Sequence, residues 1–235
     1  MSVLYIVGTP IGNLGDITYR AVETLKNVDF IAAEDTRHTL QLLNHFEIKK
    51  PLISCRAQNE KFAGEKIVKL LEEGHSVAYA SDAGTPGISD PGAVLVDVVR
   101  EAGFEVVPIP GASAFATLIS VAGSGGKTLI FEGFLSPKPG KRRSRLRDLM
   151  ATGDAIVIYE SPFRITKLLT DIADIDSTRR VVVGRELTKL HEEVISGSAK
   201  DIQEDFASRQ SIKGEFAVFI SGTKSIQLSE DSADN

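Results

Sequence analysis

The chain has 235 residues, 42% of them hydrophobic and 25% charged, with a formal net charge of −5. It is long enough for one large or two small domains with an ample core, and its composition is that of a soluble globular protein. No apolar run approaches the ~20 residues of a membrane span, the N-terminus lacks the basic start of a signal peptide, and an acidic chain is not a generally basic nucleic-acid binder. Cys55 is the single cysteine. An internal disulfide is therefore excluded, a reducing cytoplasm is expected, and the thiol reads as buried and inert. The four histidines, His38, His45, His75 and His191, are scattered without metal-ligand spacing, so no metal is expected.

In chain order, residues 3–7 predict a first strand. It runs into a loop with Gly8, Gly12 and Gly15, whose spacing is neither a dinucleotide fingerprint nor a triphosphate loop. Thr18 signals the N-cap of a helix with Ala21, Val22 and Leu25 on one face. Residues 28–33 predict a second strand, which ends in Glu34-Asp35-Thr36-Arg37. Two acids and an arginine at a strand end stand where α/β proteins build sites. The same residues also suit a solvated cap for a helix over 37–46, with Leu40, Leu43 and Phe46 as its apolar stripe. A short strand over 51–54 and a helix over 61–73 follow, the helix closed by Gly74.

Residues 77–80 predict a buried strand that feeds the string SDAGTPGISDPG at 81–92. Three glycines and two prolines in twelve residues exceed what a plain connector needs. Glycine allows positive φ and close approach of a ligand, and a glycine-rich loop between strand and helix is where open α/β sheets bind. A stiff turn without a ligand is the alternative. Asp90 reads as the cap and Pro91 as the first residue of the next helix. A strand over 105–109 ends in Pro110-Gly111-Ala112-Ser113-Ala114 and opens a helix over 115–122, with Ser113 at its mouth. This alternation predicts a mostly parallel sheet with helices on both faces. Ser124-Gly125-Gly126-Lys127 breaks it, which places domains at 1–123 and 124–222 and a polar tail at 223–235.

The second half opens with a strand over 129–134 and a basic cluster: Lys138, Lys141, Arg142, Arg143, Arg145 and Arg147, six of ten residues. In an acidic chain such a cluster suits phosphate binding from an exposed, adaptable segment, or it is a solvated helix face. A strand over 155–159 leads through Glu160-Ser161-Pro162-Phe163-Arg164 into a helix over 165–175. A strand over 180–184 ends near Lys189. Residues 192–196 and 216–221 are expected to be antiparallel partners around a helix over 200–208, which makes the second domain an α/β unit with a mixed sheet.

The first loop, AEDTR at 33–37, the 81–92 string, PGASA at 110–114 and YESPFR at 159–164 together resemble the tetrapyrrole methylases, the class III S-adenosyl-L-methionine-dependent methyltransferases. The resemblance covers about residues 4–222. It implies the two-domain tetrapyrrole methylase-like fold, a homodimer, and the methyl donor S-adenosyl-L-methionine folded between the domains. The RNA-modifying members that carry these strings imply 2′-O-methylation of a cytidine ribose in the decoding region of small-subunit ribosomal RNA, as free RNA or in the 30S subunit. Donor contacts carry over onto Pro10, Ser81, Asp82, Ala83, Thr85, Ser113 and Ala114, and onto Glu160 in the second domain. Two departures are visible. Arg56 and Gln58 stand where the family usually has histidines, so a histidine base is absent there. The polar, acidic tail stands in place of a basic extension.

Methyl transfer to a ribose hydroxyl requires a group that takes the hydroxyl proton. Glu34 and Asp35 are the candidates, with Arg37 orienting a carboxylate or phosphate and Lys189 as a further candidate; a structural Arg37–carboxylate pair is the competing reading. A tetrapyrrole C-methyltransferase on the same fold and a non-catalytic RNA-binding protein are the alternative functions.

Overall fold

The computed structural model describes residues 2–223. The expected polar tail therefore lies outside the described residues, save Thr223. The chain divides into two compact units between Ala114 and Phe115. This is earlier than the glycine break at 124–127, because the helix that begins at Ala114 packs with the second unit: a Cβ on Gly184 would come within 3.1 Å of Leu118.

The first unit holds β1 (Val3–Val7), α1 (Tyr19–Asn27), β2 (Phe30–Ala33), α2 (Thr36–His45), β3 (Leu52–Ser54), α3 (Glu60–Glu72), β4 (Val77–Ala80), α4 (Ala93–Glu101) and β5 (Glu105–Ile109). All five strands are parallel, in the order β3-β2-β4-β1-β5. One face packs Val7, Ile31 and Ala78 against Ala21 and Leu25 of α1 and Leu43 of α2. The other packs Leu4, Ala32 and Tyr79 against Ile67 and Leu71 of α3 and Leu95 and Val99 of α4. Both faces are covered, which is why β4 reads as an unbroken apolar run rather than an alternating one.

The strand order fixes where a ligand can sit. From β1 the chain crosses to β2 on one side through α1; from β4 it crosses to β5 on the other side through α4. β1 and β4 are neighbours, so the loops leaving their C-terminal ends diverge and open a crevice, the topological switch point of an open α/β sheet.

The second unit holds α5 (Ala114–Ala122), β6 (Leu129–Phe134), α6 (Pro139–Ala151), β7 (Ala155–Glu160), α7 (Ile165–Ile175), β8 (Arg180–Arg185), β9 (Glu193–Ser198), α8 (Ala199–Ser208) and β10 (Phe216–Ile220). Its sheet is mixed, in the order β6-β7-β10-β8-β9. β6 and β7 are parallel, and β10 lies antiparallel between β7 and β8. Ile156, Ile158, Val183 and Val218 pack on Leu146, Leu168, Leu169 and Phe206 of α6, α7 and α8.

Three expectations are corrected. Residues 193–198 and 216–220 do not pair with each other; each pairs antiparallel with β8. The basic stretch is not an adaptable loop: it is α6, begun by Pro139 at its first position. Neither Asp90 nor Pro91 starts α4, whose cap is Gly92 at φ 138° without a side-chain hydrogen bond. Glycine is needed there, because a Cβ would lie 3.1 Å from the Tyr79 ring and 3.2 Å from Pro86.

Candidate active site

Three loops leave neighbouring strands β4, β1 and β5, and they are tied to one another. Gly8 and Gly111 are in backbone contact: a Cβ on Gly8 would come to 2.6 Å from the Gly111 nitrogen, and one on Gly111 to 2.6 Å from the Gly8 carbonyl carbon. Only two glycines permit that approach. The Thr9 N–H donates to the Gly84 carbonyl at 2.8 Å, and the buried Thr9 hydroxyl points at the carbonyls of Ser81 and Gly84. The Thr85 hydroxyl donates to the Ala112 carbonyl at 3.2 Å. Gly84 and Gly87 turn the 81–92 loop with φ of 76° and 80°.

Pro10, Ser81, Asp82, Ala83, Thr85, Ser113 and Ala114 are thereby gathered at one edge of the first sheet. Ser81 is buried, with its hydroxyl donating to the Ala83 carbonyl, while Ala83 stands exposed on the loop. The side chains at 83, 112, 113 and 114 are all small, so they put little bulk at this edge.

The loop's first end is held by the β2 corner. Glu34 Oε2 accepts from the Asp82 N–H at 3.3 Å, and Asp82 Oδ1 accepts from the Asp35 N–H at 2.9 Å. Burial, reinforced by the charges of Asp82 and Asp35, raises the Glu34 pKa above the ordinary glutamate value despite the Asp82 hydrogen bond. A carboxylate so placed is a better proton acceptor than a solvated one.

Asp35 is different. Its side chain caps α2 through the Arg37 N–H at 2.9 Å and holds the Arg37 guanidinium at 3.0 and 2.6 Å. Those bonds keep its carboxyl far below the usual range, so it is a weak base and a structural anchor. Arg37 is otherwise 84% exposed. Arg56, from the loop after β3, donates through Nε to the Glu34 carbonyl at 3.3 Å.

The loop's second end is held by a residue that sequence reasoning missed. Glu60, the first residue of α3, is buried, and its Oε1 accepts from the N–H groups of Gly92 at 2.7 Å and Leu95 at 3.0 Å. It supplies from another helix the cap that Gly92 lacks. The signal is a lone Glu beginning a helix, with nothing nearby in sequence to mark its target. We expect Glu60→Ala to destabilise the fold by about 1–2 kcal/mol, the scale of a lost helix cap, and Glu60→Gln, which keeps an accepting oxygen, to restore most of it. Thermal melts check this, and equal melting temperatures in all three proteins would refute it.

In the second unit, Glu160 is buried; its Oε1 takes the Ser161 N–H at 2.7 Å and Arg164 Nη2 at 2.7 Å. Lys189 lies between Glu186 at 2.9 Å and Glu215 at 2.7 Å. Burial lowers its pKa, but the two hydrogen bonds and charges outweigh that and raise it, so Lys189 stays charged and is corrected from candidate base to ion-pair partner. Cys55 is buried and its thiol is pushed up to about 12, the inert group expected.

The basic cluster is also partly corrected. Arg142 is buried and bonds Asp171 at 2.6 Å; Arg143 bonds the other oxygen of Asp171 at 2.6 Å; Arg145 grips Glu132 with two bonds of 2.7 Å. Arg142 therefore cannot meet a phosphate, and Arg143 and Arg145 already serve internal acids. Lys138, Lys141 and Arg147 are exposed. Among the described residues no group of His, Cys, Asp or Glu is arranged to hold a metal ion, and no helix is long and apolar enough to cross a membrane.

A parallel sheet with three clasped loops at its switch point, beside a carboxylate of raised pKa, is where an open α/β sheet binds a ligand. Residues 3–203 match the family of tetrapyrrole (corrin/porphyrin) methylases. The chain is 46% identical over 224 residues to a ribosomal RNA small subunit methyltransferase I of Borrelia garinii subsp. bavariensis, covering 95% of this chain and 100% of that one. It is 47% identical over 222 residues to the protein of the same name from Thermotoga maritima, covering 94% and 99%. A solved cobalt precorrin-4 methyltransferase of cobalamin biosynthesis shares the fold with a TM-score of 0.67 at 16% identity, covering 94% and 95% of the two chains. The chain belongs to the tetrapyrrole methylase family.

Proposed function

We propose that the protein transfers a methyl group from S-adenosyl-L-methionine to the ribose 2′-hydroxyl of a cytidine in small-subunit ribosomal RNA. The observation that carries this reading is the 46–47% identity, over nearly the whole chain, to relatives named for methylating that RNA. The molecule's own geometry supports it. The Gly8–Gly111 contact holds the first and third loops together at the sheet's switch point, and the small residues at 83 and 112–114 put little bulk in the way of a donor there. When bound, the donor supplies a methyl already activated on a sulfonium. Pro10, Ser81, Asp82, Ala83, Thr85, Ser113 and Ala114 bind and orient it. Glu34 takes the proton from the ribose hydroxyl, and holding the reactants in line supplies much of the rate. Incubation with labelled donor and small subunits, stripped ribosomal RNA or uroporphyrinogen tests the reading. Label in RNA is expected. Label in the macrocycle would make it a tetrapyrrole C-methyltransferase, and label in none would leave a binding protein.

A further inference from the structure

The loop and first turn before and within α3 border a groove of about 400 Å³, lined by Gln58, Asn59, Lys61, Phe62, Glu65 and Val94 among others. That is within the size range of small-ligand sites. Three features of this groove suit an anionic, aromatic ligand. Phe62 is 70% exposed at its wall, on a helix whose buried face is formed by Ala63, Ile67 and Leu71. Lys61 in its lining and Arg56, one residue before the lining begins, are exposed cations, and Arg56 is held to the Glu34 carbonyl by its Nε. Glu60, which might have repelled an anion, is turned inward onto the α4 amides, and of the lining acids only Glu65 is exposed. The groove ends at Val94, in the first turn of α4 directly after the 81–92 loop, and begins one residue after Arg56.

An exposed aromatic ring with cations beside it is how proteins hold unpaired nucleotides: the base stacks and the phosphate is paired. Resting on the RNA reading above, we propose that this groove binds an unpaired nucleotide flanking the one that is methylated, with its base on Phe62 and its phosphate on Arg56 and Lys61. Through Arg56, whose Nε bonds the Glu34 carbonyl, the subsite is tied to the Glu34 corner. It would position the acceptor strand there without touching the donor loops.

The chain has no tryptophan. Phe62→Trp therefore places a single reporter in the groove, at an exposed position that the fold does not need. Titrating this variant with a single-stranded oligoribonucleotide is expected to quench its fluorescence. The midpoint should rise by roughly 0.7 log units per tenfold increase in salt for each phosphate engaged. Adding Arg56→Ala should weaken the quenching and flatten that slope. Phe62→Ala in the otherwise unchanged enzyme should weaken RNA binding by about 5- to 150-fold, the range for losing one stacked base, with kcat and donor affinity held. The proposal is overturned if the tryptophan is not quenched, or if Phe62→Ala and Arg56→Ala leave the KM for RNA unchanged. Methyl transfer by the unchanged enzyme is measured in parallel. If it modifies RNA but the groove variants are silent, the subsite alone fails; if the groove binds RNA but none is methylated, the functional reading fails instead.

Discussion

On the proposed mechanism, replacing Glu34 by Gln is expected to lower the rate of methyl transfer by about 10²–10⁴-fold, the contribution typical of a general base. Donor affinity stays near that of the unchanged protein. The amide keeps an oxygen to accept the Asp82 N–H, so the 81–92 loop keeps its anchor. The pH profile carries a second signature. Burial raises the Glu34 pKa, and a base works only when ionised, so activity should rise with pH through a value above the ordinary glutamate range. That limb should vanish in the variant. Stability should move the other way. A carboxyl whose pKa is raised by folding favours the folded state while protonated, and it loses that contribution as pH climbs through the folded value. At neutral pH Glu34 is thus a burden on the fold, and Glu34→Gln should melt no lower than the unchanged protein. Rate, pH profile and melting together separate a catalytic carboxylate from a structural one. By contrast Asp35→Asn should act through α2, where its side chain caps the helix and holds Arg37.

The largest effect on stability is expected at Asp171. This carboxylate has 1% of its side chain exposed and is shared by Arg142, at 4%, and Arg143, at 51%. Asp171→Ala leaves the Arg142 guanidinium buried without its counter-charge, a loss of about 3–5 kcal/mol. The second unit should then melt on the order of 10 °C lower. Arg143→Ala removes only a half-exposed partner and should cost about 1 kcal/mol or less. Circular dichroism melts of the two variants check the contrast. An unshifted melt of Asp171→Ala would mean that Arg142 finds water, and would restore α6 as a free cationic face.

These two residues also show what could be read from sequence and what could not. The run Val77–Ala80, the glycines of the 81–92 loop and Thr18 as a cap all act locally, and each stands as the sequence implies. The competing reading of Asp35 as a helix cap was likewise available, because its partner is two residues away. The role of Glu60 was not, because its targets lie 32 and 35 residues further on. The same holds for α6. Six basic residues in ten look like a phosphate surface until Asp171 and Glu132, 29 and 13 residues away, are found to hold three of them. Asp90 and Pro91 failed for a related reason. The helix they seem to begin starts later, because a distant carboxylate makes the local cap unnecessary.

The atom that receives the methyl group can be identified directly. Small-subunit ribosomal RNA lacking the modification is incubated with the protein and labelled S-adenosyl-L-methionine, then digested to nucleosides that are separated and weighed by mass spectrometry. The label is expected in 2′-O-methylcytidine, and it should be lost when Glu34 is Gln. Label in a base-methylated nucleoside, or equal labelling by the Glu34→Gln variant, would contradict the proposed mechanism.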